Sequence, residues 1–380
     1  MNPDSMSARN KGQGIHPLRL LAKALIVFVV LDLGFGLVNT SGLGRISAYN
    51  LLFPGRERFP FGQEAAESYN LSLYNLDAMF ASHVLSAGGN PTGEFRVLLL
   101  GDSSVWGTLL QPQETLAGQL NAEGLVVCGK GARFYNLGYP TASLMKDLMI
   151  LDQAMSYRPD LVVWLTTLDA FPRSAQLASP IVANNPARVR DLIARYHLSL
   201  DPHDPALVES TFWDRTIWGQ RRDLADLARL QVYGLMWAAT GVDQAYPGTF
   251  TPAQRDFPAD ASYHGSSGPT LEESQLAFDV LAAGQRVAGQ VPLLLVNEPI
   301  LISSGRNSTI RYNLSYPRWA YDQYRAMLGQ FARQAGWPYL DLWNAISPSQ
   351  FTNTEFHLTP AGETLLAEKV AQAIRSPSCP

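Results

Sequence analysis

The sequence predicts a three-layer α/β domain on a five-stranded parallel sheet, with a helical insertion, behind one N-terminal transmembrane helix. Two observations carry this. From Phe95 onward, short fully apolar runs alternate with helical patterns, as in βαβ units whose strands are covered on both faces. Before them, an apolar run follows a polar, basic N-terminus.

The elements follow in order. Residues 1–18 are polar and carry Arg9 and Lys11; Arg19 and Lys23 then flank an apolar run ending at Val38. That run is about 17 residues, or roughly 25 Å of helix, close to the minimum for a bilayer. Asp32 interrupts it, which costs a few kcal/mol at mid-membrane unless the carboxylate is paired. The expectation is an uncleaved signal anchor over 19–39, with a cleaved signal peptide as the alternative. Basic residues precede the run, so residues 1–18 are expected in the cytoplasm and the remainder outside. Residues 40–92 form an expected connector, mixing aromatics, Pro and Gly, with a short helical piece at 76–85.

The expected domain spans 93–376. "FRVLLLG" is its first strand, and "ETLAGQLNAEG" follows with Leu116 and Leu120 at helical spacing. "RFYNLG" is the second strand, and "TASLMKDLMILDQAMSY" a helix with Leu144, Leu148 and Leu151 on one side. "PDLVVWLTT" is the third strand. The alternation breaks over about 171–274, the insertion, which holds the helical "DLADLARLQVYGLMWAA". It resumes with the strands "VPLLLVNEPI" and "WPYLDLW", each followed by a helical stretch.

Composition narrows the function. A formal net charge of −4, with scattered rather than clustered basic residues, excludes a nucleic-acid footprint. The two cysteines, Cys128 and Cys379, fit no metal spacing; they make one disulfide or remain two thiols.

In open parallel sheets ligands bind beyond the carboxyl ends of the strands. Those ends carry Gly101-Asp102-Ser103-Ser104, Asn136-Leu137-Gly138, Thr166-Thr167-Leu168-Asp169 and Asn297-Glu298, and Asn353 to His357 precede the last helix. A serine, a histidine, carboxylates and hydroxyls at one edge are the inventory of nucleophilic acyl transfer.

On these residues the chain resembles the SGNH/GDSL hydrolase superfamily, esterases and acyltransferases of flavodoxin-like fold. Gly101-Asp102-Ser103 after an apolar strand is similar to the first block, with Ser103 in the nucleophile position. Gly138 in "YNLGYPTAS" matches the second block, and His357 in "EFHLTPAGETLLA" the last. The resemblance implies that His357 is the base and that the backbone N–H groups of Ser103 and Gly138 hold the oxyanion. It implies no cofactor and no metal. Two positions depart from the family pattern. Leu168 stands where an oxyanion asparagine is usual, so Thr166, Thr167 or a backbone N–H must substitute. Thr354 stands where the triad aspartate is usual. In an extended segment residues two apart share a side, which points to Glu355 as the group beside His357. Asn353 is the neutral alternative, and a Ser–His dyad the third. Asp102, Asp169 and Asn297 are candidate substrate contacts.

Anchored, outward-facing members of this superfamily acylate or deacylate cell-envelope polysaccharides, often beside a membrane-bound O-acyltransferase, and the resemblance implies such a substrate, partner and location. The competing expectation, motivated by Leu168 and Thr354, is a scaffold that keeps the fold without the chemistry.

Overall fold

The computed structural model describes residues 16–38, 55–59, 61, 75–87, 93–241 and 249–375. Most of the tail expected over 1–18, much of the connector expected over 40–92, and Cys379 lie outside the described residues. The chain divides into two compact units. One comprises residues 1–40 and 210–225, the other 41–209 and 226–380.

In the first unit, α1 runs from Pro17 to Phe35. The expected transmembrane helix is corrected here: no described helix is long and apolar enough to cross a membrane. The physical reason is visible along α1, where Arg19, Lys23 and Asp32 cut the apolar stretch to the short run between Lys23 and Asp32. The Asp32 carboxylate accepts the Trp218 N–H at 2.7 Å, so this charge serves a contact within the unit.

The second unit is built on a sheet of six strands: β1 (Glu94–Leu100), β2 (Val126–Val127), β3 (Lys130–Asn136), β4 (Leu161–Thr166), β5 (Leu293–Asn297) and β6 (Tyr339–Asp341). Their order is β2-β3-β1-β4-β5-β6. The expected sheet of five parallel strands is therefore corrected to a mixed sheet of six. β2 pairs antiparallel with β3, Val127 opposite Lys130, while β3, β1, β4, β5 and β6 pair in parallel. The hairpin turn consists of Cys128 and Gly129, at φ 50° and 76°; positive φ at both central residues matches the right-handed strand twist.

Alternation along the strands sorts the core into two faces. Leu98, Leu100, Val162, Trp164, Leu293 and Leu295 join one buried cluster. Val97, Leu99, Val163, Leu165, Leu294 and Val296 join the other. The helices that follow α1 along the chain are, in order, α2 (Leu76–Ser82), α3 (Val84–Ala87), α4 (Ser103–Trp106), α5 (Leu116–Ala122), α6 (Leu144–Ala154), α7 (Pro180–Ala183), α8 (Pro186–Tyr196), α9 (Arg221–Thr240), α10 (Phe278–Ala288), α11 (Arg318–Ala335) and α12 (Pro360–Ile374). Apolar residues of α6, α10 and α11 cover the first face; those of α5 and α12 cover the second. α7, α8 and α9 fall within the insertion expected over 171–274. Burial of both faces explains why β1, β4 and β5 read as near-continuous apolar runs.

Parallel strands that share a register also share an end. Leu99 lies opposite Asn136, Leu100 opposite Trp164, and Thr166 opposite Asn297. The loops leaving β1, β3, β4 and β5 are thereby brought to one edge.

Candidate active site

The nucleophile turn follows β1. At Gly101 a Cβ would fall 2.5 Å from Val105 Cγ2, so only glycine admits the sharp entry into α4. Asp102 caps that short helix, its Oδ1 accepting the Ser104 N–H at 2.8 Å. Ser103 is the first helical residue. The far end of α4 is held from an unexpected quarter, residues within the expected connector. Trp106 Nε1 donates to Phe59 O at 2.8 Å, and buried Arg58 donates to the carbonyls of Gly107 and Leu110 at 2.9 and 3.0 Å.

His357 lies in the loop before α12. Thr354 Oγ1 accepts the N–H groups of Phe356 and His357, and the Thr352 N–H donates to His357 O at 2.8 Å. The segment is thus a closed turn rather than extended chain. A turn brings residues four apart together, so His357 Nδ1 meets Asn353 Oδ1 at 2.8 Å. Its Nε2 lies 2.8 Å from Ser103 Oγ. An amide oxygen only accepts, so Nδ1 carries the hydrogen and Nε2 is left to accept the serine proton. Burial lowers the His357 pKa to about 4 against the pull of the nearby Asp102 charge, which raises it. At neutral pH the imidazole is therefore an uncharged base.

Glu355, expected beside His357, is turned elsewhere: its Oε1 accepts the Ser315 N–H at 3.1 Å. The Gly138 N–H, expected in the oxyanion hole, donates to Asn136 Oδ1 at 3.1 Å. Gly138 is required for close packing, since a Cβ there would lie 2.4 Å from Trp106 N. Thr167 Oγ1 pairs with Tyr316 OH at 3.1 Å, and Thr166 Oγ1 is buried without a partner. Asn297 is fully buried, donating to Asp341 at 2.9 Å and accepting from Tyr321 and Tyr324; this engages it in the sheet rather than with a ligand. Asp169 is brought to the site: burial, with the charges of Asp102 and Glu355, raises its carboxyl to about 7.

Asn353, the neutral alternative expected beside His357, is the partner the structure places there; Ser104, Glu298 and Thr141 follow the strand ends without an expected role. Ser104 Oγ donates to Glu298, whose carboxyl is pushed well above its ordinary range by burial and by Asp102. Thr141 has φ 144° with its hydroxyl on Ser179 at 2.8 Å. Among the described residues, the N–H groups of Ser103 and Thr141 donate to no acceptor. No sequence signal marks a positive-φ threonine, because the residue type argues against that backbone. Among the described residues, no group of His, Cys, Asp and Glu is arranged to hold a metal ion.

A cavity of about 690 Å³ is lined by Arg173, Ser199, Asp201, Asp204, Tyr263 and Ser266, among others. Tyr263 joins it to the β4 loop, its hydroxyl donating to Leu168 O at 3.3 Å. Arg173 fixes the wall by donating to Ser199 O, Ser274 O and Leu276 O and pairing with Asp279 at 2.8 Å.

No protein-family model matches the chain, and no curated protein matches it. Among solved structures the chain is similar to a lipolytic protein of the G-D-S-L family from Veillonella parvula, at 8% identity and TM-score 0.35, over 73% of this chain and 96% of that one. It is similar to an aryl esterase from M. smegmatis, at 13% identity and TM-score 0.33, over 74% and 98%. A third is Est24, a carbohydrate acetylesterase from Sinorhizobium meliloti, at 12% identity and TM-score 0.31, over 73% and 96%. Identities and TM-scores this low leave function to be argued from the site itself.

Proposed function

We propose that the chain is a serine-dependent ester hydrolase or acyltransferase, acting on acetyl esters of a cell-envelope polysaccharide. The observation that carries this is the relay from Ser103 Oγ to His357 Nε2 and from Nδ1 to Asn353 Oδ1, both links 2.8 Å. In the first half-reaction His357 Nε2 takes the Ser103 proton as Oγ bonds to the ester carbonyl carbon. The C–O bond to the alcohol then breaks, and the imidazolium returns the proton to the leaving oxygen. In the second half, water or a sugar hydroxyl gives its proton to His357 as its oxygen bonds to the acyl carbon; the acyl–Oγ bond then breaks, and the imidazolium returns the proton to Ser103 Oγ.

The N–H groups of Ser103 and Thr141 are the donors proposed for the oxyanion. They leave neighbouring strands, and the Tyr139 N–H on Gly101 O at 3.0 Å ties their loops. Asn353 orients the imidazole but has no charge to offset its cation; Asp102 supplies that charge through space. A glycan substrate is supported by the motif resemblance and by the hydroxyl- and carboxylate-lined cavity next to Tyr263. An extracytoplasmic location is supported by Cys128, which is disulfide-bonded, since such bonds persist in oxidising compartments.

A fluorophosphonate probe tests the nucleophile. The wild-type chain should be labelled and Ser103→Ala should not. Equal labelling of both removes Ser103 from the mechanism, and labelling of neither makes the chain a scaffold.

A further inference from the structure

Lys146 lies on α6, and its side chain is fully buried. Its ammonium donates to Gly101 O at 2.7 Å and to Tyr139 O at 3.0 Å, and it forms an ion pair with Asp147 Oδ1 at 2.7 Å. Gly101 immediately precedes Asp102 and Ser103; Tyr139 lies two residues before Thr141. The two carbonyls therefore belong to the loops that carry the nucleophile and the Thr141 N–H.

We propose that Lys146 is a positioning residue for acyl transfer: its ammonium sets the spacing between the nucleophile turn and the Thr141 loop. The inference rests on the reading of Ser103 above. The Tyr139 N–H already ties the two loops through Gly101 O, but two carbonyl oxygens turned to one point repel, and a donor between them fixes their spacing. A compact ammonium with several hydrogens meets that need where an apolar side chain cannot.

The lysine is itself fixed. Its backbone N–H donates to the helix-capping Ser143 Oγ at 3.2 Å, and that hydroxyl donates to Gln176 O at 3.0 Å. Asp147, the counter-charge, accepts Trp164 Nε1 from β4 at 3.1 Å. A buried ion pair adds little net stability compared with a packed apolar pair of the same volume. Lys146 and Asp147 are thus poorly explained as a stability device. The bridge between two site loops is what the charge achieves and a hydrocarbon would not.

The test uses the full chain with a generic acetyl ester and the fluorophosphonate probe. Asp147→Asn keeps the bridge and should retain kcat within about threefold. The double variant Lys146→Met with Asp147→Asn removes the bridge without leaving a lone buried charge. It should lose about a hundredfold in kcat, the scale of an ångström's misplacement, with KM within about threefold and probe labelling slowed in parallel. Circular dichroism reports folding. A folded double variant with wild-type kcat overturns the proposal, as does an Asp147→Asn loss equal to that of the double variant. Failure of the double variant to fold also overturns it, by placing Lys146 in stability. An inactive wild type sinks the hydrolase reading and this inference together, whereas an active wild type with an unaffected double variant sinks this inference alone.

Discussion

At the scale of single residues, His357 governs the pH dependence. Its pKa of about 4 reflects burial, and the neutral base is the form that accepts the Ser103 proton. Activity should therefore persist on acidification well below 6.5, the ordinary histidine value, and fall only as the pH nears about 4. Asn353 keeps the hydrogen on Nδ1. Asn353→Ala should lower kcat about tenfold to a hundredfold, the range for losing a group that orients a histidine. Glu355→Gln keeps an acceptor for Ser315 and should change kcat by no more than about threefold. Steady-state kinetics on an acetyl ester, from pH 3.5 to 8, check all three; a larger effect of Glu355→Gln than of Asn353→Ala would reverse the assignment. Ser103 and His357 were both legible from their blocks, whereas the partner of His357 was legible only as the alternative, Asn353, behind Glu355. The alternation argument for Glu355 assumes extended chain, and Thr354 Oγ1 instead closes the segment into a turn. A side-chain hydrogen bond of that kind leaves no periodic trace in sequence.

At the scale of elements, long runs were legible and short ones were not. β1, β4 and β5 announce themselves as apolar runs because both faces are buried, whereas β3 is buried only over Phe134–Asn136 and β6 only in part. β2 is two residues long, too short for any period, and its Cys128–Gly129 turn offers only a single glycine as a signal. A mixed sheet was thus read as wholly parallel. α1 failed differently. Its composition suggests a membrane span, but its length and the charges at Arg19, Lys23 and Asp32 do not meet that requirement. The roles of Arg58 and Phe59 were hidden as well, since contacts between residues almost fifty positions apart follow from the fold rather than from local pattern.

At the scale of the whole molecule, buried carboxyls make the fold sensitive to base. Glu363 on α12 is fully buried with Oε2 unpartnered, and burial raises its pKa to about 8. A carboxyl whose folded value is raised stabilises fully below its unfolded pKa and loses that contribution as pH rises through the folded one. Asp169, raised to about 7, acts in the same direction. The buried His83 and His357, both lowered to about 4, reduce stability only on the acid side, as the pH falls below about 6.5. Thermal unfolding should therefore move to lower temperature between about pH 6.5 and 8. Glu363→Gln should remove about 2 kcal/mol of that decline, following roughly 1.4 kcal/mol per pH unit; an unchanged slope in the variant would exclude Glu363 as its source. The central claim concerns Ser103, and it is tested most directly by trapping the covalent intermediate. The wild-type chain is mixed with an acetyl ester, quenched in acid within the first turnover and digested, and its peptides are weighed. The account predicts one acetyl group on the peptide carrying Ser103, absent in Ser103→Ala and in His357→Ala. Ester turnover by the wild type with Ser103 unmodified, or turnover undiminished in Ser103→Ala, would contradict it.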